Sequence, residues 1–89
     1  MNVAAVQTYN GWTNHETLIV NLWMTGDPRY YDQLCEIVSS GDSLDDQAEA
    51  LEDFIRFEYD GEYSSLWADL ICSALDRVDW YEIVKSNQG

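Results

Sequence analysis

An 89-residue chain that is 46% hydrophobic and carries four Trp, six Tyr and two Phe has the apolar surface for one compact core, which excludes a disordered acidic tail. Its 17 carboxylates stand against four Lys and Arg, a net charge of −13 that repels nucleic acid and anionic membranes and leaves basic proteins or cations as natural partners. No apolar run approaches the length of a membrane span, and Met1-Asn2-Val3-Ala4-Ala5 lacks the basic start of a secretion signal, so no membrane partner and a cytoplasmic location are expected.

Residues 1–8 carry no strong signal and read as a flexible leader. Asn10-Gly11 marks a tight turn, and Thr13 followed by Glu16 has the spacing of a capping box, which starts a first helix over about Asn14 to Met24. Leu18, Ile19, Val20, Leu22 and Trp23 give this helix a broad apolar face, with Thr17, Asn21 and Thr25 as its polar strip. It is the expected centre of the core, although its β-branched content also permits a strand. Gly26 closes it. Asp27-Pro28 then opens a second helix whose Tyr30, Tyr31, Leu34, Cys35, Ile37 and Val38 share one face, ending at Gly41.

Ser43 caps a third helix that separates cleanly by angle: Leu44, Ala48, Leu51, Phe54 and Ile55 on one arc, carboxylates on the other. After the loop Tyr59-Asp60-Gly61-Glu62-Tyr63, Ser64 or Ser65 caps a fourth helix, with Leu66, Trp67, Leu70, Ile71, Ala74, Leu75 and Val78 facing inward. Asp79 begins a last short turn, Trp80 to Lys85, before a polar tail at 86–89. The expected fold is all-α: one compact acidic domain over residues 1–89, built from four to five short helices.

Groups that could support catalysis are few. His15 is the only histidine and falls on the side of Leu18 and Leu22, where a packed or hydrogen-bonding role outweighs catalysis. There is no phosphate loop, no nucleophile signature, no zinc spacing and no ordered series of calcium ligands, so neither enzyme activity, cofactor nor specific metal is expected. Cys35 and Cys72 read as two buried thiols. Trp23, Trp67 and Trp80 read as core, because a stacking platform for single-stranded nucleic acid needs interleaved basic residues. Trp12 reads as a staple onto the core rather than an interface anchor.

Most of the charge lies in one stretch. Asp42, Asp45, Asp46, Glu49, Glu52, Asp53, Glu58, Asp60 and Glu62 face a single cation, Arg56, so 9 − 1 leaves −8 locally. A carboxylate face is most often only solvated, but this one is single-signed, without the i,i+4 lysines of an ordinary surface helix. Asp45, Glu49 and Glu52 also step along a rigid helix by about 6 and 10 Å, spacings comparable to successive phosphates. Such a row can occupy an Arg/Lys groove built for DNA or RNA.

Asn10-Gly11-Trp12-Thr13-Asn14-His15-Glu16-Thr17 resembles the N-G-W-x-N-x-E-T opening of small acidic proteins of phages and mobile elements. In overall character the chain also resembles phage anti-CRISPR and anti-restriction proteins, many of which are DNA mimics. The first resemblance points to a lineage; the second, one of overall character, implies an inhibitor in the host bacterial cytoplasm that blocks a basic nucleic-acid-binding complex, a CRISPR effector first and a restriction enzyme second. The charge pattern itself, not either resemblance, marks the nine carboxylates as the expected partner-binding surface. The alternative is a structural or regulatory adaptor that homodimerises or docks through the apolar face around Val20 and Trp23.

Overall fold

Side chains at the helix starts account for much of the architecture. In the computed structural model, which describes residues 11–59 and 66–88, the chain forms α1 (His15–Gly26), α2 (Pro28–Val38), α3 (Leu44–Glu58), α4 (Leu66–Arg77) and α5 (Trp80–Ser86), with no strand among the described residues. Asn14, Asp27, Ser43 and Asp79 each accept a backbone N–H of the helix they precede, satisfying donors that a helix start otherwise leaves orphaned. Asp27 serves two helices at once, since its own N–H also closes α1 on the carbonyl of Trp23 at 3.1 Å. Ser64 and Ser65, expected to cap α4, lie outside the described residues.

Three boundaries differ from expectation. Asn14 rather than Thr13 caps α1, α1 runs on through Gly26, and α2 stops at Val38. Gly41, with φ +88°, lies in the linker to α3, in the left-handed region that glycine enters without a Cβ penalty.

The all-α expectation holds, but the core is centred elsewhere. The buried cluster is Met24, Leu34, Ile37, Leu51, Val78, Trp80, Ile83 and Val84, and the seven-residue α5 supplies three of these, Trp80, Ile83 and Val84. α3 packs most extensively against α5, and α1 against α2. α1 buries only Thr17 and Met24, so the helix with the widest apolar face is not the centre of the core.

α4 sits at the edge and packs chiefly on α1. Its Ala74 and Leu75, with Val78 just beyond, line a cleft with Ile19 and Val20 of α1. Ile71 is half-buried, but the first turns of the α4 stripe are uncovered: Leu66, Trp67 and Leu70 are exposed, as are Ile19, Leu22 and Trp23 on α1. Trp80 is core as expected, whereas Trp23 and Trp67, at 62% and 69% exposure, are surface residues. Periodicity states which side chains share a face, and an edge helix has a neighbour on only part of that face.

Trp12 is partly buried against the core, which fits the staple reading. Thr17, assigned to a polar strip, is fully buried, and Cys72 is exposed while Cys35 is half-buried, so the pair is not two buried thiols. No helix among the described residues is long and apolar enough to cross a membrane.

Candidate acidic interface on α3

The rotation of α3 about its axis is fixed from its buried side. Leu51 is fully buried, Leu44, Ala48, Phe54 and Ile55 pack against the core, and Phe54 meets the ring of Tyr30 edge-on at 6.0 Å. Gln47, buried on the same side, donates from Nε2 to the Asp42 carbonyl at 2.8 Å and accepts at Oε1 from Gln88 Nε2 at 2.6 Å. A buried amide satisfied on both atoms resists any turn of the helix that would break either bond.

This rotation turns Asp45, Asp46, Glu49 and Asp53 fully outward, in one band, with Asp42 exposed in the preceding linker. None of these four outward carboxylates on α3 forms an ion pair among the described residues. Glu52 flanks the band, half-buried, and accepts from Arg56 Nε at 2.8 Å. Arg56 Nη2 reaches instead to Asp76 on α4, also at 2.8 Å. Its two carboxylate bonds raise the guanidinium pKa further and hold the cation between helices.

Glu58 does not join the band. Itself exposed, it lies one heptad step beyond Leu51, on the side of α3 that faces α2, and accepts the phenol proton of Tyr30 at 3.1 Å, which raises the Tyr30 pKa. Asp60 and Glu62 lie outside the described residues. The structure therefore brings together Asp45, Asp46, Glu49, Glu52 and Asp53, adds Asp42 at one end, and separates Glu58.

The other arginines are also occupied by carboxylates. Arg77 stands 3.4 Å from Glu16 and Arg29 stands 3.6 Å from Asp27 while lying over the Tyr30 ring. Neither supplies a counter-charge to the α3 band.

The N-G-W-x-N-x-E-T stretch does a different job. Gly11 takes φ +91°, Trp12 packs on the core, and the Thr13 N–H donates to Glu82 Oε1 at 3.1 Å. Asn14 Oδ1 accepts from both the N–H and the hydroxyl of Thr17, at 2.9 and 2.7 Å, while its Nδ2 donates to the Arg77 carbonyl at 2.6 Å. Thr17 Oγ1 in turn accepts the Asp79 N–H at 2.8 Å. The motif is a clip that fastens the start of α1 to the α4–α5 corner. His15 points out of it and is exposed.

No cluster of three or more His, Cys, Asp or Glu side chains among the described residues could hold a metal ion. A groove of about 620 Å³ is apolar along Ile19, Val20, Trp23, Met24, Ile55 and Ile71, and Asp27, Arg29, Tyr30 and Glu58 form its polar border. Sequence reasoning missed this groove, for it depends on how α1, α3 and α4 meet rather than on any local pattern.

Residues 5–88 match the profile of a family of unknown function, DUF7249. No curated protein and no solved structure matches the chain.

Proposed function

We propose that this chain, which belongs to the DUF7249 family of unknown function, is a nucleic-acid mimic: a phage or mobile-element inhibitor that occupies the basic channel of a host defence complex and blocks access of target DNA. One observation carries the reading. Asp45, Asp46, Glu49 and Asp53 form an exposed band of one sign on a helix whose rotation is locked, and the one cation of α3 itself, Arg56, is tied to Glu52 and Asp76.

A rigid row of carboxylates offers an Arg/Lys channel what a phosphate backbone offers it, charge-assisted acceptors at repeated spacing. Because the row is already fixed by folding, little ordering entropy is lost on binding. Asp42 extends the row, and Glu52 completes its flank. Asp60 and Glu62, part of the proposed surface by sequence, lie outside the described residues, while Glu58, engaged by Tyr30, contributes at most to the long-range field. Inhibition of this kind needs no catalysis, metal or cofactor, and takes place in the host bacterial cytoplasm. A CRISPR effector is the first target and a restriction enzyme the second.

The test is a pull-down from host lysate with a salt-gradient elution, followed by a DNA-binding assay on each retained complex. A nucleic-acid-binding complex that elutes as ionic strength rises, and that loses its target DNA when the protein is added, is the expected result. The Asp45→Lys, Glu49→Lys, Asp53→Lys triple variant should fold with an unchanged helical signal and release that complex. Undiminished binding by the folded variant would remove the acidic band from the interface.

A further inference from the structure

α1 and α4 run antiparallel. Arg77 at the end of α4 meets Glu16 and Asn14 at the start of α1, Ala74 and Leu75 share a cleft with Ile19 and Val20, and Ile71 shares the large groove with Trp23. Beyond those contacts the pair presents Ile19, Leu22 and Trp23 from one helix and Leu66, Trp67 and Leu70 from the other, all exposed. From Thr17 to Gly26, α1 carries no charged residue at all. α1 thus adds no charge to this face of a chain of net charge −13, and α4 adds the exposed Asp69 beside Leu70.

The six residues leave on the order of 650–750 Å² of largely apolar surface in water, taking about 250 Å² for a fully exposed Trp and about 150–200 Å² for Leu or Ile. The largest apolar patch on a typical monomer is about 300–600 Å², and a stable interface covers about 800 Å² of each partner. The area approaches that of one half of a dimer.

The same face carries both a protrusion and a recess. Trp67, 69% exposed, lies one helical turn before Ile71, and Ile71 helps to line the groove of about 620 Å³ beside Trp23. A twofold axis exchanges the two features between copies, as an isologous interface requires. We infer that two copies of this chain associate through their α1–α4 faces, with Trp67 of each seated in the apolar groove of the other. The indole N–H then finds an acceptor at the groove's border, where Asp27 and Glu58 both stand. None of Asp45, Asp46, Glu49 or Asp53 lines that groove, so the dimer displays two acidic bands rather than burying them. This association is independent of what the bands bind.

The experiment is sedimentation equilibrium of the full chain over roughly 5 to 200 μM, where mass action resolves a dimer from its subunits. The expected mass at the upper end is twice the 10.3 kDa of the chain. Because the interface is apolar and each copy carries −13, raising salt from about 0.1 to about 1 M should tighten the dimer severalfold, the opposite of its effect on an acidic contact with a basic partner. Trp67→Glu and Leu22→Glu, both at exposed positions, should each give a folded monomer by circular dichroism, whereas Tyr81→Ser on α5 should remain dimeric. Tryptophan emission of the unmodified chain should shift to the blue as concentration rises through the transition. A monomer at every concentration overturns the inference, as does a dimer of unchanged affinity in both the Trp67 and Leu22 variants. So does a dimer that forms only after residues 1–10 are removed, since that result assigns the face to the chain's own N-terminal segment.

Discussion

Thr17 Oγ1 accepts the backbone N–H of Asp79 at 2.8 Å across 62 residues of sequence, while its own proton goes to Asn14 Oδ1 at 2.7 Å. One fully buried hydroxyl therefore joins the first turn of α1 to the start of α5, the helix on which the core is centred. Thr17→Val keeps the shape and removes both bonds, stranding the Asp79 N–H in a partly buried place. The expected loss is about 1–3 kcal/mol by urea denaturation. Thr17→Ser, which keeps the hydroxyl, should lose clearly less. Equal losses would mean that the methyl group contributes as much as the hydroxyl at this position.

Asn14 is the second joint of the same clip, and its two ends can be tested apart. Asn14→Asp keeps the oxygen that caps α1 and places a favourable negative charge at a helix start, but it removes the Nδ2 donor to the Arg77 carbonyl. Asn14→Ala removes cap and donor together, for a cost of about 0.5–2 kcal/mol. The alanine variant should melt lower than the aspartate variant. The reverse order would show that repulsion between the new carboxylate and the Arg77 carbonyl outweighs the cap.

The clip shows where sequence reading succeeds and where it stops. Local chemistry identified the helix starts at Asp27, Ser43 and Asp79 and the two faces of α3, because a cap or an amphipathic arc is decided within a few residues. Thr17 looked like surface because the residue that buries it, Asp79, is supplied by the far end of the chain. Trp67 looked like core for the converse reason: nothing in the α4 pattern states that the helix stands at an edge with one main neighbour. The acidic band was legible as a band. Its separation from Glu58 was not, since that depends on Tyr30 of α2 waiting at the end of the α3 buried stripe.

Asp27 offers a test by pH. Desolvation pushes its carboxyl pKa upward, but the N–H groups of Arg29 and Tyr30 and the nearby guanidinium more than reverse this and hold it below the usual carboxylate range. A folded-state pKa below the unfolded one gives stability that is present above the unfolded value and lost as pH falls through the folded one. Asn can cap the same amides without the charge. The stability difference between the native chain and Asp27→Asn should therefore be constant near neutrality and shrink between about pH 5 and pH 2. Relief of the overall negative charge acts on both proteins and cancels in the difference. A difference independent of pH would show that the charge of Asp27 contributes nothing beyond its hydrogen bonds.

Glu49 stands at the centre of the acidic band, with Asp45 and Asp46 one turn before it and Glu52 and Asp53 one turn after. At spacings of three and four residues all four are its neighbours on the helix surface, and like charges there destabilise by about 0.2–0.5 kcal/mol per pair. Glu49→Lys turns each repulsion into an attraction without touching the core, since Glu49 is exposed. The variant should be more stable than the native chain by about 1 kcal/mol or more at low ionic strength, relief of the four repulsions alone giving about 1–2 kcal/mol, with most of the gain gone at about 1 M salt. A stabilising change of this size, open to a single substitution, is what a surface kept for binding leaves unused. If the same variant also loses the partner retained by the native protein, stability and function are opposed at this residue, as the mimic reading requires. A Glu49→Lys chain no more stable than the native one would show that the carboxylates of the band are too well solvated to repel one another.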